Sequence, residues 1–192
     1  MPFRQTAVLL MVIAWIIFCA YWFVMAFGVK RAVKRQSSSS RLVHIAVGVV
    51  AYMLLFTGRL SWGPLKLRFV SWHHDWVIVG VAITYVGVGL AIWARAILGG
   101  NWSATVTVKQ GHSLVRQGPY AIVRHPIYTG LLVAGFGTAL VIGEIHSLVA
   151  VGIGALGFLA KSKLEERFMI EQFGREYEDY RQHTWALVPF VL

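Results

Sequence analysis

Residues 6–29 read TAVLLMVIAWIIFCAYWFVMAFGV, 24 positions without a charged side chain. As an α-helix this run is about 36 Å long, enough to cross a hydrocarbon layer of about 30 Å. Only Arg4 precedes it and no small-x-small cleavage signal follows, so it reads as a retained span rather than a removable signal peptide. Four more apolar runs follow: Leu42 to Gly58, Trp76 to Ala94, Pro126 to Gly143 and Ser147 to Ala160. Only Glu144-Ile145-His146 separates the last two, which predicts a helical hairpin. Both are marginal in length, which predicts tilt, kinks or local thinning. Small residues recur four apart in them, as Gly130 with Ala134, Gly135 with Ala139 and Ala150 with Gly154, a spacing that lets membrane helices approach closely. The expected fold is an all-α membrane protein with about five transmembrane helices, a cofactor-binding loop and a helical C-terminal tail. It is read as one domain, with a three-span part over 1–98 and a catalytic part over 99–192.

Composition agrees. Of 192 residues 57% are hydrophobic and only 14% charged, against about 25% charged in a soluble domain. The net charge of +10 is spread through loops, next to apolar spans, as the positive-inside rule and anionic lipid produce. Nucleic-acid binding is therefore not expected. Six of the eight acids fall between Glu165 and Asp179. The single cysteine, Cys19, excludes an intramolecular disulfide and a multi-cysteine metal site. The His73-His74-Asp75 cluster stands at a membrane boundary and is not taken as a metal centre.

The loop from Lys30 to Arg41 holds the densest positive charge and is expected on the cytoplasmic side. Counting spans from it puts the N-terminus and the loop 59–75 outside. Residues 95–125 and the tail 161–192 then share the cytoplasmic face. No internal repeat is visible, which speaks against an inverted-repeat transporter. Short loops and the lack of a targeting extension point to a prokaryotic plasma membrane.

The two cytoplasmic segments carry the unusual chemistry. Gly99 to His125 is a glycine-broken loop with an extended piece expected at Thr105 to Val108; a polar helix is expected from about Lys161, with a break at Gly174. The first contains His112-Ser-Leu114-Val, then Gly118-Pro119-Tyr120-Ala-Ile-Val-Arg124-His125-Pro126-Ile-Tyr128-Thr-Gly130. The second contains Glu165-Glu166, Phe173-Gly174-Arg-Glu-Tyr177-Glu-Asp-Tyr180 and a late Pro189-Phe190. In this order and spacing the set resembles the isoprenylcysteine carboxyl methyltransferase and phospholipid methyltransferase superfamily of membrane enzymes, over about 101–189. The resemblance implies methyl transfer from S-adenosyl-L-methionine to a hydrophobic acceptor. It implies a cofactor site at His112, Leu114, Gly118, Tyr120, Arg124, His125, Pro126, Tyr128, Gly130, Glu165 and Glu166, with no metal ion. It implies catalytic roles for Arg124, Tyr128 and His183.

The residue types suit that chemistry. Arg124 can hold a carboxylate in a bidentate fork, with His125 adding a donor or acceptor beside it; snorkelling at a span end is the competing reading. Pro126 fits the first helical turn, where its missing N–H costs nothing. Gly130 leaves room for backbone or ligand. Glu165 and Glu166 diverge by about 100° on a helix, so one is expected to meet the cofactor and the other a cation such as Arg124. In the carboxyl methyltransferase branch an arginine thought to meet the substrate carboxyl follows the last tyrosine by three residues; His183 stands there instead. A carboxylate acceptor requires no general base, whereas an amine acceptor needs one, with His125, His112 and His183 as candidates. Isoprenylcysteine-type carboxyl O-methylation is the preferred reading; phospholipid N-methylation is the runner-up. A membrane sterol-type reductase using NADPH is the alternative from another enzyme class, disfavoured by the acidic tail. A non-enzymatic lipid-binding protein would leave the Arg-His and Glu-Glu sets unexplained.

Overall fold

A computed structural model describes residues 2–28, 32–35, 37–71, 73–101, 107–109 and 114–190. Six helices carry the fold: α1 (Pro2–Met25), α2 (Ser38–Tyr52), α3 (His74–Leu98), α4 (Pro126–Ile142), α5 (Ile145–Phe173) and α6 (Arg175–Gln182). Among the described residues, four stretches are long and apolar enough to cross a membrane: Phe3–Met25, Ser38–Thr57, His74–Leu98 and Ile145–Phe173. Pro126–Ile142 is shorter and equally apolar. The protein is a multi-pass integral membrane protein, and the five apolar runs coincide with five helices.

Two boundaries differ from the sequence reading. The polar helix expected from Lys161 is no separate element, because α5 runs unbroken from Ile145 to Phe173. No glycine with positive φ and no proline interrupts it before Gly174, whose φ of 53° ends it. Glu165 and Glu166 therefore ride on a rigid extension of a spanning helix. The second run does not stay α-helical: α2 passes into a π-helix at Met53–Thr57 and stops at left-handed Gly58. The extended piece expected at Thr105 to Val108 is described only from Thr107, as strand β2 (Thr107–Lys109), antiparallel to β1 (Ala32–Arg35).

α3 and α4 pack backbone to backbone. A Cβ on Gly137 would lie 2.5 Å from Thr84 N, and one on Gly130 would lie 2.6 Å from Gly87 O. Such small-residue seams gain dispersion contacts where lipid offers no hydrophobic drive. Of the three small pairs read from the sequence, Gly130 with Ala134 lies in this seam. Its partner stripe on α3, Gly80, Gly87 and Ala91, was not singled out beforehand. Fully buried Arg95 binds the carbonyls of Met25 and Gly99, each at 2.7 Å, and so joins the ends of α1 and α3.

The chain direction follows from end contacts. Phe3 meets His74 at 4.2 Å between ring centroids, so α1 and α3 start at the same end. At that end the 59–73 loop clips onto the α4–α5 turn through Phe69 N to Gly143 O (3.0 Å) and Ile145 N to Leu67 O (2.9 Å). The β1–β2 pairing joins the 30–41 loop to the Gly99–His125 segment at the other end. Both polar segments of interest thus share one end of the bundle.

Candidate functional site

The site is built where the C-terminal segment is sewn to the start of α4. His125 occupies the N-cap position of α4 in a non-helical conformation (φ −124°, ψ 57°), with Pro126 at the first turn, consistent with the bar on helical backbone before proline. Arg124 N and His125 N donate to the carbonyls of Trp185 (2.8 Å) and Ala186 (3.1 Å). Thr129 Oγ1 donates to Leu187 O at 2.6 Å, and Tyr180 Oη donates to Tyr120 O at 2.6 Å. The tail, which looks like a simple extension in sequence, is the second wall of the site.

Inside this frame Arg124, His125 and Tyr128 converge on the two glutamates, and Phe158 and Lys161 pack around Tyr128. Arg124 Nε donates to Glu166 Oε1 at 2.8 Å, while Nη1 donates to Arg181 O at 3.1 Å and also to Thr184 O. His125 Nδ1 stands 3.2 Å from Glu165 Oε2, and Nε2 stands 3.3 Å from Glu166 Oε1. Tyr128 Oη donates to Glu165 Oε1 at 2.6 Å. The Tyr128 ring lies parallel to Phe158 at 4.7 Å and to His125 at 5.6 Å, and Lys161 Nζ sits 5.4 Å from its centroid.

Adjacent helical residues do diverge, yet both glutamates reach His125, because an imidazole presents nitrogens on opposite sides of its ring. Each nitrogen facing a carboxylate favours the doubly protonated ring. Burial alone would lower the His125 pKa; the hydrogen bonds and charges of Glu165 and Glu166 outweigh it and raise the pKa above its ordinary value. The two carboxylates thus favour the cationic form of His125, which is a poor proton acceptor. The expected division between the glutamates holds in one respect, since Glu166 takes Arg124 while Glu165 takes Tyr128.

Several expected site residues fall elsewhere. His183 does not join the cluster: its side chain is 73% exposed and its Nδ1 pairs with Asp179 O at 2.8 Å on its own helical turn. Arg124 is no open fork for a ligand carboxylate, because its Nε and Nη1 are engaged by Glu166 and the tail. Gly130 spends its missing side chain on the backbone of α3, not on a ligand. Gly118 adopts φ 61° and faces the side chains of Ile97 and Trp93, a turn position only glycine fills without strain. Tyr120 and Pro126 are buried beneath the cluster, and Leu114 is half-buried. His112 lies outside the described residues.

Sequence reasoning missed Phe158, Lys161 and Thr184. The first two were detectable, since Phe158, Lys161 and Glu165 fall on one helical face at i, i+3 and i+7. Thr184 acts through its carbonyl, which leaves no side-chain signal.

Beside the cluster lies a cavity of about 420 Å³ between α2, α4 and α5. Most of its walls are apolar or small, as at Leu131, Gly135, Val151, Gly154 and Phe158, and Arg41, His44 and Lys161 line it too. Phe158 and Lys161 belong to both the cavity wall and the Tyr128 stack.

Residues 76–176 match the phospholipid methyltransferase family. The chain is 28% identical over 195 residues to protein-S-isoprenylcysteine O-methyltransferase B of Arabidopsis thaliana, with 98% of this chain and 95% of that protein covered. It is 31% identical over 130 residues to a probable protein-S-isoprenylcysteine O-methyltransferase of Oryza sativa subsp. indica, covering 65% and 68%. These relatives are plant proteins, so the prokaryotic membrane expected from the compact loops gains no support. Among solved structures, the eukaryotic intramembrane Ras methyltransferase, an isoprenylcysteine carboxyl methyltransferase, shares the fold with a TM-score of 0.56 at 21% identity. That match covers 83% of this chain and 55% of the solved one, so this chain spans about half its length. The reductase alternative falls away, and the chain belongs to the phospholipid methyltransferase family as a membrane methyltransferase related to the isoprenylcysteine O-methyltransferases.

Proposed function

We propose that this protein methylates the carboxylate of an isoprenylcysteine-type acceptor, using S-adenosyl-L-methionine, at the cytoplasmic face of the membrane. One observation carries the reading: the Arg124–His125–Glu165–Glu166 cluster shares Phe158 and Lys161 with an apolar cavity at membrane level. A polar ligand from water and a lipid chain from the bilayer can meet at that shared wall.

The donor set fits the cofactor. Glu165 and Glu166 offer carboxylate oxygens to an ammonium or to ribose hydroxyls, and Tyr128 and Phe158 offer flat faces. When bound, S-adenosyl-L-methionine supplies an electrophilic sulfonium methyl group, whose transfer to a carboxylate leaves a neutral ester and a neutral thioether with no proton to move. Arg124 and His125 position the two glutamates rather than exchange protons. The largely apolar walls of the cavity favour a step that discharges an ion pair. Holding the reactants in line supplies much of the remaining acceleration.

The same cluster favours a carboxylate over an amine acceptor. An amine must lose a proton, and both ring nitrogens of His125, the buried histidine at the site, already face carboxylate oxygens, which disfavours it as a base. The cytoplasmic placement is supported by the basic 30–41 loop, which pairs through β1 with the segment carrying the site.

The test uses the purified protein in lipid nanodiscs with methyl-labelled S-adenosylmethionine and N-acetyl-S-farnesylcysteine. A base-labile methyl ester is the expected product. A base-stable N-methylated lipid, formed from phosphatidylethanolamine in the same discs, would overturn the carboxylate reading.

A further inference from the structure

Residues 185–190 read WALVPF, without a charge. Val188 and Phe190 turn apolar side chains outward, 42% and 85% exposed. Ile122, whose carbonyl accepts from Trp185 N at 3.2 Å, is 53% exposed. The Phe190 ring packs on Trp185 with centroids 4.6 Å apart. We propose that 185–190 re-enters the membrane and lies along the headgroup–acyl boundary at the site end, so that lipid holds the second wall of the site in place.

The level of the segment follows from its bonds to α4. Trp185 N to Ile122 O, Arg124 N to Trp185 O and His125 N to Ala186 O form a parallel pairing that leads towards the first turn of α4. Thr129 Oγ1 then donates to Leu187 O at 2.6 Å, so Leu187 stands beside the residue that precedes Gly130. Gly130 is itself fixed against α3: a Cβ there would lie 2.6 Å from Gly87 O and 2.7 Å from Ala91 N. Both belong to the charge-free run 76–94 of α3. By the rise of an α-helix, Ala91 and Gly87 lie about 5–10 Å inside the site end of that run. Interfacial elements bury their apolar face to the same depth, about 5–10 Å.

Non-helical chain is tolerated at membrane depth only where its polar groups find partners in the protein. The carbonyls of Trp185, Ala186 and Leu187 accept bonds from Arg124, His125 and Thr129, and Pro189 has no N–H to satisfy. The backbone thus faces the protein, while Val188 and Phe190 face outward at a level that the spans assign to lipid. Trp185 and Phe190 suit the aromatic belt of a membrane boundary. Single exposed apolar residues are ordinary on a protein in water. A segment bonded to the first turn of a spanning helix instead continues the lipid-facing surface of that helix, which favours the bilayer over a second copy of the chain. Trp185 O and Ala186 O also set Arg124 and His125, and Thr184 O, next to them, takes Arg124 Nη1. Drawing 185–190 off the bilayer therefore loosens the Arg124–Glu166 pair.

Nitroxide labels in nanodiscs test the placement. Val188→Cys and Phe190→Cys are labelled singly in a Cys19→Ser background. Val86→Cys, at a position 66% exposed on α3, is the lipid reference and Glu176→Cys on α6 is the water reference. Labels at 188 and 190 are expected to collide with dissolved oxygen in preference to a water-soluble nickel chelate, as at 86 and unlike 176. A preference for the chelate, or shielding from both reagents by a second copy, overturns the proposal. Val188→Ser/Phe190→Ser should weaken S-adenosylmethionine binding at least threefold and Val188→Asp/Phe190→Asp at least tenfold, whereas Val188→Leu/Phe190→Leu should stay within twofold. Unchanged affinity in the serine pair overturns the coupling of tail to site. This second arm alone rests on the methyltransferase reading, whose own failure looks different: the wild type would bind no S-adenosylmethionine while the labels still report lipid.

Discussion

The Tyr128 hydroxyl donates a 2.6 Å hydrogen bond to Glu165 Oε1, tying the first turn of α4 to the C-terminal half of α5. With His125 Nδ1 on the other oxygen of Glu165, the bond fixes the orientation of the carboxylate. Tyr128→Phe keeps the ring on Phe158 and removes only the bond. Hydrogen bonds to charged groups are worth about 1.5–3 kcal/mol. S-adenosylmethionine affinity, measured by calorimetry, is expected to fall about tenfold or more, and wild-type affinity would show that Glu165 needs no such anchor.

Arg124 and Glu166 form a largely buried pair, 9% and 13% exposed, with His125 sharing the same carboxylate oxygen. Removing one member leaves an uncompensated charge, at a cost of roughly 3 kcal/mol. Arg124→Ala and Glu166→Gln should each lower the thermal midpoint in detergent and weaken the cofactor by at least tenfold. Together they should cost less than the sum of the two, because both break one interaction. Strict additivity would mean that the two residues act apart.

His125 sets a pH dependence whose sign follows from its raised pKa. Its stabilising contribution is complete below the unfolded value of about 6.5 and is lost as pH rises through the higher folded value. Cofactor affinity should hold at pH below the ordinary histidine value and decline as pH rises above it. His125→Asn should bind weakly and without that decline. His183→Ala should leave the profile within about twofold, since exposed His183 touches neither glutamate; a flattened profile in His183→Ala would restore it to the site.

The α3–α4 seam and the cavity predict opposite outcomes for glycine substitutions. Gly137→Val forces a side chain into the space held by Thr84 N and Gly80 O, and overpacking of this kind costs about 1–3 kcal/mol or more. Gly154→Phe meets nothing within 4 Å at its Cβ and projects into the cavity. The first should lower the unfolding midpoint; the second should keep it and raise the KM for the acceptor but not for the cofactor.

Topology is checked in a Cys19→Ser background. Cysteines at Ser38 and Glu176 should label from the cytoplasm and one at Ser71 from outside. Opposite labelling of Ser38 and Glu176 would separate the two walls of the site.

Five helices were legible in the chain because spanning a bilayer demands long uncharged runs, a requirement each segment meets independently of its neighbours. The motif residues Arg124, His125, Tyr128, Glu165 and Glu166 were legible for a related reason: charged groups beside an apolar run are costly and stand out. Their partners were not. That Glu166 takes Arg124 while His125 bridges both glutamates depends on α5 continuing unbroken past Lys161, and on the tail bonding to Ile122–His125 through backbone atoms. Backbone bonds carry no residue signature, so neither Thr184 O nor Ala186 O could be read from the sequence. Local spacing set His183 near the motif, whereas packing turns it to solvent; Gly130 makes room for backbone, one of the two uses its sequence position allowed, and packing decided which. The chamber between α2, α4 and α5 exists only once helices distant in sequence pack side by side.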